Sequence, residues 1–177
     1  KVYIVDVKDT NKKMLKATVS RTHPGLVRRL FETEVPEIFD GAVEIKAVSR
    51  EAGSRTKIAV HSGAEDIDPV GACIGPRGAR VGKIVDLLGG EKMDIVKYSD
   101  TPEEFIAAAL APADVIDVIL DEKGERFCSV TVPDGQLSLA IGNKGQNVRL
   151  AAKLTGWKID IKPESGKQEP VLNFDLV

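Results

Sequence analysis

A chain of 177 residues, 42% of them hydrophobic and 29% charged, is long enough for one large or two small packed domains and too apolar to be disordered over most of its length. A net charge of -2 excludes a protein that coats nucleic acid indiscriminately, since binding by counterion release needs clustered Lys and Arg. No run approaches the roughly 18 consecutive apolar residues of a membrane span, and Lys1-Val-Tyr-Ile-Val-Asp6 lacks the apolar core of a signal peptide, so we expect no membrane partner and a cytoplasmic protein.

In chain order, residues 1–20 carry five Lys against two Asp and read as strands over 2–7 and 14–20 around a turn at Asp9-Thr-Asn11. Two strands alone are marginal in water, so we expect them to be the last strands of an upstream, truncated β-domain. Pro24 suits a first helical turn, and Leu26, Val27, Leu30 and Phe31 recur at helical spacing, predicting a helix over 23–32. Strands over 43–48 and 57–60 flank a turn at Gly53. Asp68-Pro69 reads as a cap and first residue of a short helix ending at Ile74, followed by a second helix over 79–88 burying Val81, Ile84, Val85 and Leu88, and a strand over 92–97.

The order then recurs. Thr101-Pro-Glu-Glu104 has capping-box spacing before a helix with Phe105, Ile106 and Leu110 on its apolar face. Strands over 115–120 and 126–132 flank a turn at 121–124, Asp134 is placed to cap a short helix over 135–141, a further helix runs over 146–154, and a strand over 157–161 contains Trp157 as a core anchor. Beyond residue 164 the chain is polar as far as Val171-Leu-Asn-Phe174 and reads as a flexible tail, 165–177.

The recurrence is visible residue by residue at an offset of 67. Ile74/Ile141, Gly75/Gly142, Gly78/Gly145, Val81/Val148, Leu87/Leu154 and Gly89/Gly156 coincide, and one inserted residue later Lys92-Met-Asp-Ile95 lies over Lys158-Ile-Asp-Ile161. We therefore expect an α+β chain with two domains of one kind, 21–99 and 100–164, each helix-strand-strand-helix-helix-strand with a three-stranded mixed sheet.

Each copy carries Gly-x-x-Gly between two helices. Such a loop sets the N-terminus of the second helix, with its backbone N–H groups and positive dipole end, beside whatever occupies the loop. Glycine permits positive φ and leaves no Cβ in the way of a sugar-phosphate chain. The first loop is Gly75-Pro76-Arg77-Gly78, followed by Arg80 and Lys83; the second is Gly142-Asn143-Lys144-Gly145, followed by Gln146, Asn147, Arg149 and Lys153. No acidic residue occurs from Gly71 to Val85 or from Gly135 to Ile159. The acidic surplus is thus kept away from both loops.

Ile-Gly-x-x-Gly in this order of elements resembles a KH domain of the prokaryotic type, which clamps about four nucleotides of single-stranded RNA. Ser20-Arg-Thr-His-Pro24, Glu34-Val-Pro-Glu-Ile38, Asp68-Pro-Val-Gly-Ala-Cys-Ile-Gly75, Gln136-Leu-Ser-Leu-Ala-Ile-Gly142 and Leu154-Thr-Gly-Trp-Lys-Ile-Asp-Ile161 are similar to the NusA family of bacterial transcription factors, to about residue 164. The resemblance implies that residues 1–20 end an OB-fold barrel. It also implies RNA binding during elongation, pausing, termination and antitermination, with the nascent transcript, RNA polymerase and other elongation factors as partners of a monomeric intact protein. Asn143-Lys144 stands where Lys-Glu is frequent in that family, which gives the second loop more positive charge. We expect aliphatic groove walls from the loop-bearing helices and the strands around residues 93–95 and 159–161, and with only eight aromatics no stacking platform.

Two other readings fare worse. Only His23 and His61 could serve as neutral-pH bases, neither in a nucleophile or metal-ligand pattern, and Gly82-Lys83 precedes Ile84 where a phosphate-binding P-loop needs Ser or Thr. We expect no enzyme, no cofactor and no metal. A protein-interaction module using the acidic 100–104 face remains the alternative. Cys73 and Cys128 read as reduced core residues.

Overall fold

A computed structural model describes residues 1–10, 14–121, 124 and 126–166. Its backbone forms two compact units, Lys1–Ile95 and the residues from Val96 onward.

The first unit opens with an antiparallel hairpin of β1 (Tyr3–Thr10) and β2 (Met14–Ser20), the form expected for the end of an OB barrel. Asp9 and Thr10 of the expected turn belong to β1, and residue 11, with 12 and 13, lies outside the described residues. The hairpin is fastened to the rest of its unit by Tyr3, whose ring stacks on His23 at 4.6 Å and 3°, and by Arg21, whose Nη2 donates to Leu87 O at 2.9 Å. A Cβ at Gly25 would lie 2.6 Å from the Tyr3 ring and 2.8 Å from His23 Nδ1, so a larger residue would have to push the stacked pair aside.

Helix α1 (Pro24–Glu34) starts where expected, capped by His23, whose Nδ1 accepts from Gly25 N. It buries Leu26, Val27, Leu30 and Phe31 and runs two residues further than the sequence suggested. Val35 ends it because the residue before a proline is pushed out of the α region; its φ and ψ are -117° and 103°. Pro36 then restarts a single turn, α2 (Pro36–Phe39), which sequence patterning missed because four residues show no periodicity.

β3 (Val43–Glu51) and β4 (Arg55–Ser62) pair antiparallel, with a register shift between Ile45 and Ala47 that breaks the alternation of β3. Every side chain from Thr56 to Val60 is buried. Asp68 caps α3 (Pro69–Ile74) as expected, accepting from Val70 N; α4 (Ala79–Leu87) and β5 (Lys92–Lys97) come next, and the sheet order is β3-β4-β5. Of the four residues expected beneath α4, Ile84 and Leu88 are buried, while Val81 and Val85 are half-buried. The core joins α1 to Ile58, Val60, Cys73 and Ile84.

The second unit repeats the plan with α5 (Pro102–Ala109), β6 (Asp117–Leu120), β7 (Phe127–Val132), α6 (Leu137–Ile141), α7 (Gln146–Thr155) and β8 (Lys158–Pro163). Its sheet is β6-β7-β8, antiparallel then parallel. Phe105, Ile106, Leu110, Cys128, Val130, Leu150 and Leu154 are buried. Two expected caps are replaced. Thr101 makes no side-chain cap; Ser99 Oγ instead accepts from Thr101 N and donates to Glu104 Oε2 at 2.6 Å. Asp134 lies inside a 3₁₀ turn ahead of α6 and accepts from Ser165 N. Trp157 is half-buried just before β8, so it is less of an anchor than expected. Residues 122 and 123 of the expected turn, residue 125 after it, and 167–177 of the expected tail lie outside the described residues.

Cys73 and Cys128 are buried and unbridged; burial pushes their thiols up to about 12 and about 11, so neither supplies a thiolate at neutral pH. Among the described residues no cluster of His, Cys, Asp or Glu could hold a metal ion, and no helix is long and apolar enough to cross a membrane.

Candidate nucleic-acid interface

The two loops adopt one conformation despite different middle residues. Gly75 and Gly142 have φ, ψ of 72°, 173° and 78°, 170°; Gly78 and Gly145 have 75°, 13° and 72°, 15°. Between them Arg77 and Lys144 sit in the left-handed region at 53°, 28° and 51°, 33°. A non-glycine residue there costs on the order of 1–3 kcal/mol. The strain falls in both loops on the cation, which is exposed. Pro76 and Asn143 are exposed beside them.

No side chain caps α4 or α7, whose N-caps are Gly78 and Gly145. Each loop therefore brings together an uncapped helix N-terminus and an exposed cation, the arrangement that receives a phosphate.

The glycine requirement differs between loops. A Cβ at Gly142 would lie 2.7 Å from Asn147 N, an obstacle of backbone, whereas at Gly75 it would meet the flexible Arg80 stem, Cγ at 2.5 Å. Both substitutions also force alanine to a φ and ψ that only glycine readily adopts. We expect Gly142→Ala to destabilise its unit by about 2–4 kcal/mol and Gly75→Ala by about 1–3 kcal/mol, read from urea unfolding. Equal costs would show that the backbone contact at Gly142 does not matter.

The residues after the loops divide into groups with different surroundings. Lys83, 64% exposed at its side chain, pairs with Glu34 Oε2 at 2.6 Å. That hydrogen bond leads in holding the Glu34 carboxyl below its usual range. Arg80 Nη1 is turned inward, donating to Ala72 O at 2.6 Å and Glu37 Oε2 at 2.8 Å. Arg149 Nη1 donates to Lys144 O at 3.0 Å, bracing the loop from behind, and Gln146 is half-buried. Asn147 is 1% exposed and its Nδ2 donates to Leu110 O and Ala140 O, both at 3.0 Å. Grouped from sequence with the ligand-facing residues, Asn147 in fact has its polar atoms in the core. Sequence reading also overlooks Glu34 and Glu37 as counter-charges; their places at the end of α1 and in α2 become significant only once those elements fold beside α4.

The expected aliphatic walls are partly present. Ile74 and Leu139 are 38% and 46% exposed on the helices entering the loops. Met93 and Ile95 are half-buried against the core, but Asp94 between them is held by Arg55 (2.7 and 2.9 Å) and Lys57 (3.0 Å), so that strand is as much an ionic as an apolar surface.

Residues 21–98 match the family described as the NusA-like first KH domain, and residues 102–169 the NusA-like second KH domain. The chain is 60% identical over 169 residues to the transcription termination/antitermination protein NusA of Bacillus subtilis, covering 96% of this chain and 45% of that protein. It is 56% identical over 158 residues to the protein of the same name from Mycobacterium bovis, covering 86% and 46%. It thus spans less than half the length of these relatives. A solved structure described as "Crystal structure of APE1850" shares the fold at 21% identity and a TM-score of 0.58, over 78% of this chain and 97% of that one. By its two successive KH domains and this identity, the chain belongs to the NusA family.

Proposed function

We propose that the chain binds single-stranded RNA with both Gly-x-x-Gly loops, as the RNA-binding part of a factor acting on the nascent transcript in elongation, pausing, termination and antitermination. RNA polymerase and other elongation factors would be met through the intact protein, and the KH domains would extend over 21–99 and 100–164. The observation that carries the reading is the duplicated loop geometry, an uncapped helix N-terminus facing an exposed left-handed cation, in a family that includes transcription termination/antitermination proteins. The contact set is Gly75, Pro76, Arg77 and Gly78 with Gly142, Asn143, Lys144 and Gly145, flanked by Lys83, Gln146 and Arg149.

The interaction-module alternative on the 100–104 face draws less support, because Asp100 accepts from Tyr98 Oη and Glu104 from Ser99. The test is the salt dependence of affinity for a single-stranded oligoribonucleotide. With two loop cations each neutralising a phosphate, the slope of log affinity against log salt should be about -1.4 or steeper. A slope near zero would remove the phosphate contacts on which the reading depends.

A further inference from the structure

The residue two places after each loop occupies the same position in both units with different chemistry. The 67-residue repeat aligns Arg80 with Asn147. The Arg80 stem lies directly against Gly75, and the backbone and Cβ of Asn147 lie directly against Gly142, where an added Cβ would come within 2.8 Å of each. Both side chains then reach in two directions. One bond goes to a carbonyl near the end of the short helix entering the loop, Ala72 O or Ala140 O, which lacks an intrahelical donor in a helix so short. The other goes to the opening helical segment of the same unit, Glu37 on α2 or Leu110 O just past α5.

We propose that Arg80 and Asn147 are equivalent positioning residues, each clamping the entrance of its loop to the opening helical segment of its own unit, and so setting the loop's affinity for an RNA phosphate without touching the RNA. The inference rests on the RNA-binding reading. In the first unit the clamp is an ion pair, and in the second it is a neutral amide.

The alternative for Arg80, direct contact with phosphate, predicts the opposite response to removing its partner. Glu37→Gln keeps the shape of a half-exposed side chain and releases the guanidinium. As a contact, the freed Arg80 would bind RNA equally well or better. As a clamp, it would let the loop entrance loosen.

For the full chain and a single-stranded oligoribonucleotide, we expect Glu37→Gln to weaken binding about threefold and Arg80→Met about tenfold, with the salt slope unchanged and the double variant no weaker than Arg80→Met alone. In the RNA-free chain, backbone amides of Arg77 and Gly78 should exchange faster in both variants, as should those of Lys144 and Gly145 in Asn147→Ala. Affinity unchanged or raised by Glu37→Gln, or a slope reduced by about 0.7 in Arg80→Met, would overturn the clamp in favour of direct contact. Unchanged amide exchange would overturn it as well. If the unaltered chain bound no RNA, the RNA reading would fail, and amide exchange alone would still decide whether the clamp exists.

Discussion

Exchanging Pro76, Arg77, Asn143 and Lys144 together for aspartate is expected to lower RNA affinity at least a hundredfold while leaving the urea midpoint nearly unchanged. A charge-assisted hydrogen bond is worth about 1.5–3 kcal/mol, so losing one phosphate contact at each loop removes about 3 kcal/mol or more, and the four introduced carboxylates repel the backbone besides. The fold should survive because all four positions are exposed and aspartate tolerates the left-handed region at 77 and 144 better than most residues. Changing one loop alone should cost a large part of the affinity, since two linked sites raise each other's effective concentration. Affinity retained by a folded four-residue variant would refute the loop assignment.

The largest expected effect on stability lies away from the loops. Glu91 is fully buried and is gripped by Arg50 at 2.8 and 2.9 Å, by Thr56 Oγ1 at 2.5 Å and by Gly53 N at 2.8 Å. Arg50, only 4% exposed at its side chain, also donates to His23 O at 2.9 Å, so the network reaches the cap of α1. Glu91→Ala leaves a buried guanidinium without its counter-ion and should cost about 3–5 kcal/mol in urea unfolding. Burial pushes the Glu91 carboxyl up, but the hydrogen bonds from Arg50, Thr56 and Gly53 together outweigh it and hold the group below its ordinary 4.5. The contribution is therefore complete above about pH 4.5 and is lost as pH falls through the lower folded value. Asp94, raised by burial but lowered further by Arg55 and Lys57, adds to the same acid limb. Stability measured from pH 7 down to 3 should fall in the native chain and fall less in Glu91→Gln. Parallel curves would show that Glu91 is not the titrating group.

Much of this architecture was legible in the sequence because its signals are local. Pro24 and Asp68-Pro69 mark helix starts, the helical spacing of Leu26, Val27, Leu30 and Phe31 marks a buried face, and the repeat fixes the second unit once the first is read. The missed features depend on tertiary context. α2 is one turn imposed by Val35-Pro36, and the Thr101 capping box yields to a serine outside the helix that bonds both Thr101 and Glu104. At the loops, sequence identified the glycines and cations but could not separate side chains facing outward from those facing inward. Charge and polarity at Arg80 and Asn147 are visible in a sequence, whereas the direction of these side chains, toward Glu37 and Leu110 O, is set only after folding.

The near-identical backbone of the two loops has a consequence for how this protein can change. Since Pro-Arg and Asn-Lys take up one conformation, the shape is imposed by the flanking glycines and the residues beneath them, and the middle dipeptide only has to comply. If the loops bind RNA as proposed, those two positions would form an exchangeable reading head on a fixed mount. Sequence drift there would then retune nucleotide preference, separately in each half of the chain, without the folding machinery having to be rebuilt.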